Sequence, residues 1–159
     1  KLATVYGDEG AQKVDIGYVG SVDKVNTSLL EDLLDQDYVP VIAPIGVGAD
    51  GESYNINADY VAAEIAGALQ AEKLLLLTDV EGIYKDFEDK TSFLSTLHLP
   101  EARAYIREGI IKGGMIPKVD CCVEAVRKGV EAANIQDGRV KHSILIELLS
   151  KVGVGTMFQ

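Results

Sequence analysis

An α/β protein, with helices on both faces of a mainly parallel central sheet, is the fold class this sequence predicts. Three observations carry that reading. Continuous apolar runs, "YVPVIAPIGV" over 38–47 and "KLLLLTDV" over 73–80, read as strands covered on both faces. Stretches with helical spacing lie around them, above all the Ala-rich segment that follows Asp59. The two patterns alternate along the chain, as α/β layers require. With 159 residues, 47% hydrophobic and 25% charged, the chain is long enough for one core or for one complete lobe of something larger.

In chain order, Lys1–Tyr6 and Lys13–Val22 flank the turn Gly7-Asp8-Glu9-Gly10 and read as a β-hairpin. Asn26-Thr27-Ser28 offer caps to a helix striped by Leu29, Leu30, Leu33 and Leu34. The apolar run over 38–47, the Ala-rich helix and the strand from Lys73 come next, the last ending in the polar loop Thr78–Lys85. Phe87–Leu97 reads as irregular. Pro100 starts a helix through Arg107, stopped by Gly109, and Pro117 opens another after Gly113-Gly114, with Val119, Cys122, Val123 and Val126 inward. Ala132–Ile135 is a short strand, His142–Lys151 an amphipathic helix and Thr156–Phe158 a closing strand.

Charge and composition narrow the function. The net charge of −10, 15 basic against 25 acidic residues, repels phosphate backbones and argues against nucleic acid. The run Leu74–Leu77 is far too short to span a bilayer, and no charged-then-apolar leader opens the chain. Cys121 and Cys122 are adjacent in a helical pattern, so they read as reduced thiols rather than a disulfide or a metal pair. His98 and His142 stand outside any metal-ligand spacing, and no metal site of the protein's own is expected.

Four motifs bear on chemistry, and the first is set aside. Gly46-x-Gly48-x-x-Gly51 fits the dinucleotide fingerprint, yet no helix opens on it to receive a pyrophosphate, so it reads as a turn. "IIKGGMIPKVD", from Ile110 to Asp120, places two glycines and Pro117 before a helix start, where bare amides make an anion site. Lys118 sits there against the helix dipole; it is either a surface lysine or one partner of a bound anion. Thr78, Asp79 and Gly82 lie beyond the carboxyl end of a buried strand, where ligands gather in open sheets, although a capped turn explains them too. Asn55, Asn57 and Asp59 form a polar triplet. One of them suffices as a cap, and the alternation puts both amides on one side, able to hold a carboxylate-bearing ligand. Anion cradles, a helix-start lysine and an acid together point to phosphoryl transfer.

"YNINADYVAAEIAGALQAEKLLLLTDVEGIY", "GIIKGGMIPKVDCC" and "DGRVKHSILIELLSKVGVGTMF" resemble the acetylglutamate kinases of the amino acid kinase family. The resemblance covers essentially the whole chain. It implies the carbamate kinase-like three-layer α/β/α fold, with residues 1–25 a hairpin of the N-terminal, substrate-binding lobe and residues 26–159 the C-terminal, ATP-binding lobe. It implies ATP-dependent phosphorylation of the side-chain carboxylate of N-acetyl-L-glutamate in arginine biosynthesis, with Mg²⁺ bridging the phosphates. Asn55 and Asn57 would then belong to the acetylglutamate site and Asp59 would organise the active-site lysines. Lys118 would neutralise the transferring phosphoryl group. Asp79, Val80, Glu81, Gly82, Ile83 and Tyr84, with Ile110, Ile111 and Lys112, would contact ATP.

The ending resembles the arginine-inhibited members. It implies an allosteric arginine site around His142, Glu147, Gly153 and Gly155, with Glu147 on the guanidinium; an ordinary amphipathic helix is the alternative. Lys141 stands where proline is usual. The family's first strand, with its catalytic lysine, and its acetylglutamate-binding glycine loops are not in this sequence. The expectation is therefore a lobe that does not catalyse alone. The resemblance further implies a homo-oligomer without membrane or nucleic-acid partners, a regulatory signalling protein as partner in photosynthetic lineages, and a cytoplasmic (bacterial) or plastid location. Two alternatives stay open: a non-catalytic arginine-binding module, and a kinase with another acceptor.

Overall fold

The computed structural model describes the backbone of residues 2–7, 10–150 and 153–159, with side chains from Val14 onward within that range. Asp8 and Glu9 of the expected turn, and Lys151 of the expected closing helix, lie outside the described residues. Contacts divide the chain into two compact units, Lys1–Val61 and Ala62–Gln159.

In the first unit, β1 (Leu2–Gly7) and β2 (Gly10–Asp15) form the antiparallel hairpin, with Gly7 opposite Gly10. The second strand stops at Asp15 instead of running to Val22. Gly17 turns the chain at φ +70°, and its amide donates to Asp15 Oδ1 at 2.9 Å. Beyond that turn, Tyr18 O accepts from the Asn55 amide (2.8 Å) and Gly20 N–H donates to Asn55 O (2.9 Å). The helix α1 (Ser28–Asp35) forms where its caps predict, but Leu29 and Leu34 of its stripe are exposed.

The apolar run 38–47 is the largest departure from the sequence reading. Only β3 (Ile45–Val47) is strand, and Val39 and Val41 are 87% and 97% exposed. Pro40 and Pro44 remove two ladder donors from the run, which confines pairing to its end. There β3 pairs antiparallel with β4 (Ser53–Asn55). Gly46, Gly48 and Gly51 belong to this hairpin, closed by Gly48 N–H on Glu52 O and by the Tyr54 hydroxyl on Asp50 (2.6 Å). The fingerprint is a turn. The helix α2 (Ala58–Ala68) comes next, and the unit boundary falls inside it.

The second unit carries the sheet. Its order is β5 (Lys73–Thr78), β9 (Ala132–Asp137), β10 (Thr156–Phe158), β8 (Thr96–Leu97). Two of the three pairings, β5 with β9 and β10 with β8, are parallel, and β9 runs antiparallel to β10. The segment read as irregular holds a 3₁₀ turn at Lys90–Ser92 and two short strands, β7 (Phe93–Leu94) and β8. Of these, β7 pairs with β6 (Ile83–Tyr84). Helix α3 (Leu99–Arg107) begins beside Pro100 as predicted, and the His98 amide donates to Glu101 at its start.

Helix α4 (Met115–Arg127) starts two residues before Pro117, which stands at its third position. It packs on β5, β9 and β10, burying Val119, Cys122 and Val123 as the spacing predicts, and Cys121 as well. Leu74 and Leu76 of β5 join it in one core with Ile135 and Phe158. By strand alternation Lys73 lies on the opposite face, where its ammonium meets Glu147 of α5 (Ser143–Leu149) at 2.7 Å. The expected amphipathic closing helix is thus inverted: Ser143 and Glu147 are buried, whereas Ile144, Leu145, Leu148 and Leu149 are exposed. Its polar side is drawn inward because Glu147 also accepts from the Val154 amide (2.8 Å). Among the described residues no helix is long and apolar enough to cross a membrane.

Candidate functional site

Beyond the carboxyl end of β5 the second unit opens a cleft of about 560 Å³. Two segments far apart in sequence line it. Val80, Gly82, Ile83 and Tyr84 come from the loop after β5, and Ile110, Ile111 and Lys112 from the loop between α3 and α4. These are seven of the nine positions singled out as a nucleotide cradle; Asp79 and Glu81 do not line the cleft. The structure adds Lys85, Asp86, Phe87, Gly109 and Met115 to the wall. The recognisable motif ends at Tyr84, and the residues after it carry no regular pattern in sequence. A signal is present nevertheless, since Lys85 and Phe87 continue a loop that already bears the motif.

The loop is held from three sides. Gly82 sits at φ +152°, where a Cβ would come within 2.6 Å of Thr156 Oγ1 and 2.9 Å of the Phe93 ring, so only glycine lets the loop lie this close to β10 and β7. The Thr156 hydroxyl accepts from the Ile83 amide (2.8 Å) and donates to Leu94 O (2.6 Å), stitching β6, β7 and β10 through one buried oxygen. On the β9 side, Gly138 N–H donates to Thr78 O (2.9 Å), and Arg139 Nη2 donates to Asp79 O. Arg139 is aimed by a two-pronged pairing with Asp137, Nε to Oδ1 at 2.9 Å and Nη2 to Oδ2 at 2.8 Å. That guanidinium, and then the Arg139 amide, hold the Asp137 carboxyl below the usual aspartate range.

Glu81 is not among the residues that line the cleft, and its charge is engaged by neighbours. Its carboxylate accepts from the Tyr84 hydroxyl and pairs with Lys90 at 3.4 Å. The Tyr84 hydrogen bond, followed by Lys90, lowers the Glu81 pKa, and the same bond raises that of the Tyr84 phenol. The cleft wall is therefore left with Lys85 and Lys112 against Asp86, a locally cationic surface on an acidic protein.

The expected helix-start cradle differs from its sequence picture. Met115 N–H donates to Lys112 O and Ile116 N–H to Gly113 O, each at 3.2 Å, so the first amides of α4 close their own turn. Lys118 is the fourth residue of that helix and half-buried. The polar triplet divides its labour. Asn57 is the cap of α2, its Oδ1 accepting from the amides of Asp59 (3.0 Å) and Tyr60 (3.3 Å). Asp59 stands in the first turn, and Asn55 joins the ladder through its backbone with an exposed side chain. Asn55, Asn57 and Asp59 belong to the first unit and Lys118 to the second.

Of the residues read as an arginine site, Gly153 lies against Glu147, where a Cβ would come within 2.8 Å of its carboxylate, while Gly155 packs on Asn134 and Gln136. His142 takes the N-cap position of α5 at φ +62°. Both Glu147 oxygens are engaged, by Lys73 and by the Val154 amide.

The sequence profile of the amino acid kinase family matches residues 2–137. An acetylglutamate kinase from Moorella thermoacetica is 52% identical over 157 residues, 99% of this chain and 53% of the relative. Among solved structures, N-acetylglutamate synthase from Neisseria gonorrhoeae, complexed with coenzyme A and L-arginine, superposes with a TM-score of 0.81 at 28% identity, covering 99% of this chain and 36% of that one. A carbamate kinase from Giardia lamblia shares the fold, with a TM-score of 0.68 at 21% identity over 99% of this chain and 52% of that chain. The chain spans about half the length of the curated relatives it matches.

Proposed function

The chain belongs to the amino acid kinase family, and on that footing we propose that it is the nucleotide-binding part of an acetylglutamate kinase. The reaction moves the γ-phosphoryl group of ATP to the side-chain carboxylate of N-acetyl-L-glutamate, a step of arginine biosynthesis. One observation carries the reading: two loops 26 residues apart, ending at Tyr84 and beginning at Ile110, converge on one cleft with Lys85 and Lys112 on its wall. In this reading the cleft takes ATP and its lysines face the phosphates. Lys118 neutralises charge on the group in flight, Asp59 orders the lysines, and Asn55 holds the acetylglutamate. The Oδ1 of Asn57 serves α2, leaving its NH₂ for the acceptor.

Among the described residues no group of three or more His, Cys, Asp or Glu side chains could hold a metal ion. In this reading Mg²⁺ would come with the nucleotide, where it would neutralise phosphate charge. On the same reading, residues 1–25 serve the acceptor side and residues 26–159 the nucleotide, the division that the resemblance implies.

Calorimetric titration of MgATP into the chain is expected to show binding, with acyl phosphate formation, trapped as the hydroxamate, negligible for the chain alone. Absence of ATP binding by a folded chain overturns the proposal. In the catalytically complete protein, Lys118→Ala is expected to lower kcat by about 10²–10³-fold, as for loss of one charge-stabilising donor. A fall in ATP affinity at unchanged kcat would make Lys118 a binding residue only. A panel of acetylglutamate, glutamate, carbamate and aspartate assigns the acceptor.

A second reading, an arginine-binding module, draws on the synthase solved with L-arginine and on the juxtaposition of Gly153 with Glu147. Arginine must there displace Lys73 from Glu147. Binding of L-arginine that is lost in Glu147→Gln, without ATP binding, selects this reading over the kinase.

A further inference from the structure

The cleft wall continues past the motif into an aromatic tier. Phe93 and Tyr84 are half-buried, with ring centres 5.1 Å apart at 64°, and Phe87 stands outermost, 6.0 Å from Tyr84 at 79°. Phe87 lines the cleft and is 65% exposed. Lys90 braces the outer two rings: its Nζ lies 4.5 Å from the Tyr84 centre and 5.2 Å from that of Phe87, while Glu81 anchors it from the other side. Lys90 thus favours this position of the ring, and a wet phenyl face gains by being covered. The same wall offers Lys85 and Lys112. A flat apolar face beside two ammonium groups matches a ligand with a planar ring system at one end and negative charge at the other.

We infer that Phe87 is the platform on which the nucleobase of the bound nucleotide stacks, and that Lys90, pinned by Glu81, is the positioning residue that keeps the platform upright. This inference rests on the nucleotide reading of the cleft. Stacking of a base on an aromatic ring is tolerant of which base is presented, so Phe87 supplies affinity for nucleotides over bare polyphosphates more than a choice among purines.

The test compares MgATP with inorganic tripolyphosphate on the 159-residue chain by calorimetry. Phe87→Ala and Phe87→Leu are expected to weaken MgATP by about 5- to 150-fold and to leave tripolyphosphate within twofold, the range that base stacking spans. Phe87→Tyr is expected to restore ATP binding. The protein has no tryptophan, so Phe87→Trp adds a lone fluorophore whose emission should be quenched by ATP and not by tripolyphosphate. If ATP binds the parent chain and Phe87→Ala equally, the platform is refuted and the kinase reading stands. If both ligands weaken together, Phe87 shapes the loop and the platform is again refuted. If the folded parent chain binds neither ligand, the nucleotide reading falls and the platform with it.

Discussion

The two units are built from similar side chains and treat them oppositely. In the second, seventeen buried apolar residues from strands, helices and loops form one cluster, with Phe158, Ile135 and Val119 fully enclosed. In the first, Ile56 is the one buried apolar residue among those described, while Tyr38, Val39, Val41, Ile45 and Val47 face outward. Apolar content therefore predicts a demand for cover without naming where the cover comes from. The second unit meets the demand internally because α4 lies across three strands. The first, among its described residues, has short two-stranded pairings, and Tyr38, Val39, Val41 and Ile42 of its apolar run are exposed.

Four tests can break or sharpen this contrast. The largest effect belongs to the core: Ile135→Ala is expected to cost about 2–5 kcal/mol in urea unfolding, and Val41→Ala to stay within about 0.5 kcal/mol. Equal costs would mean that the first unit has a core after all. Next comes the tether between the two strand ends. Arg139→Ala removes the bond to Asp79 O and leaves the Asp137 carboxylate only the amide of residue 139, so nucleotide affinity should fall about tenfold, with a small loss of stability. Unchanged affinity would show that the loop holds its shape on Gly82 and Thr156 alone.

A smaller effect lies at the start of α2. Asn57→Ala is expected to cost about 1 kcal/mol through loss of the cap, with Asn57→Asp nearly neutral. If Asn57→Asp instead abolishes acceptor binding in the complete enzyme, the amide serves the substrate as well. The smallest is a pH effect. Because Arg139 lowers the Asp137 pKa in the folded state, the pairing contributes fully above the ordinary aspartate value of about 3.9 and is lost as pH falls through the lowered one. The Arg139 Nε–H resonance should therefore hold steady above that range and shift only on stronger acidification.

Legibility in the sequence divides along the same line. The strand from Lys73, the inward face of α4 and the helix beside Pro100 are readable because length, periodicity and a proline all speak together, and each lies over the common core. The run over 38–47 misleads because strand-like composition is the same whether or not a partner is at hand. The two-residue strands β7 and β8 carry no period to detect; the sheet around them makes them strands. At the site, the loops of Tyr84 and Lys112 can be chosen from motifs, and the fold supplies what motifs lack, the shared cleft. Asn57 as cap, Arg139 as tether and Phe87 as outer wall are not legible, since each depends on what faces it across the fold. The bare helix amides fail for the opposite reason: a local rule meets a preceding glycine loop that folds back to satisfy it.

The oxygen of Thr156 has a kinetic corollary. Ile83, whose amide it receives, lies 73 residues away along the chain, and Leu94, whose carbonyl it meets, lies 62 away. Helices α3 and α4 close on near neighbours and can form early, but this stitch waits for distant chain to be gathered in. Refolding should restore helical signal before it restores the cleft, so the pocket is among the last parts of this unit to become competent.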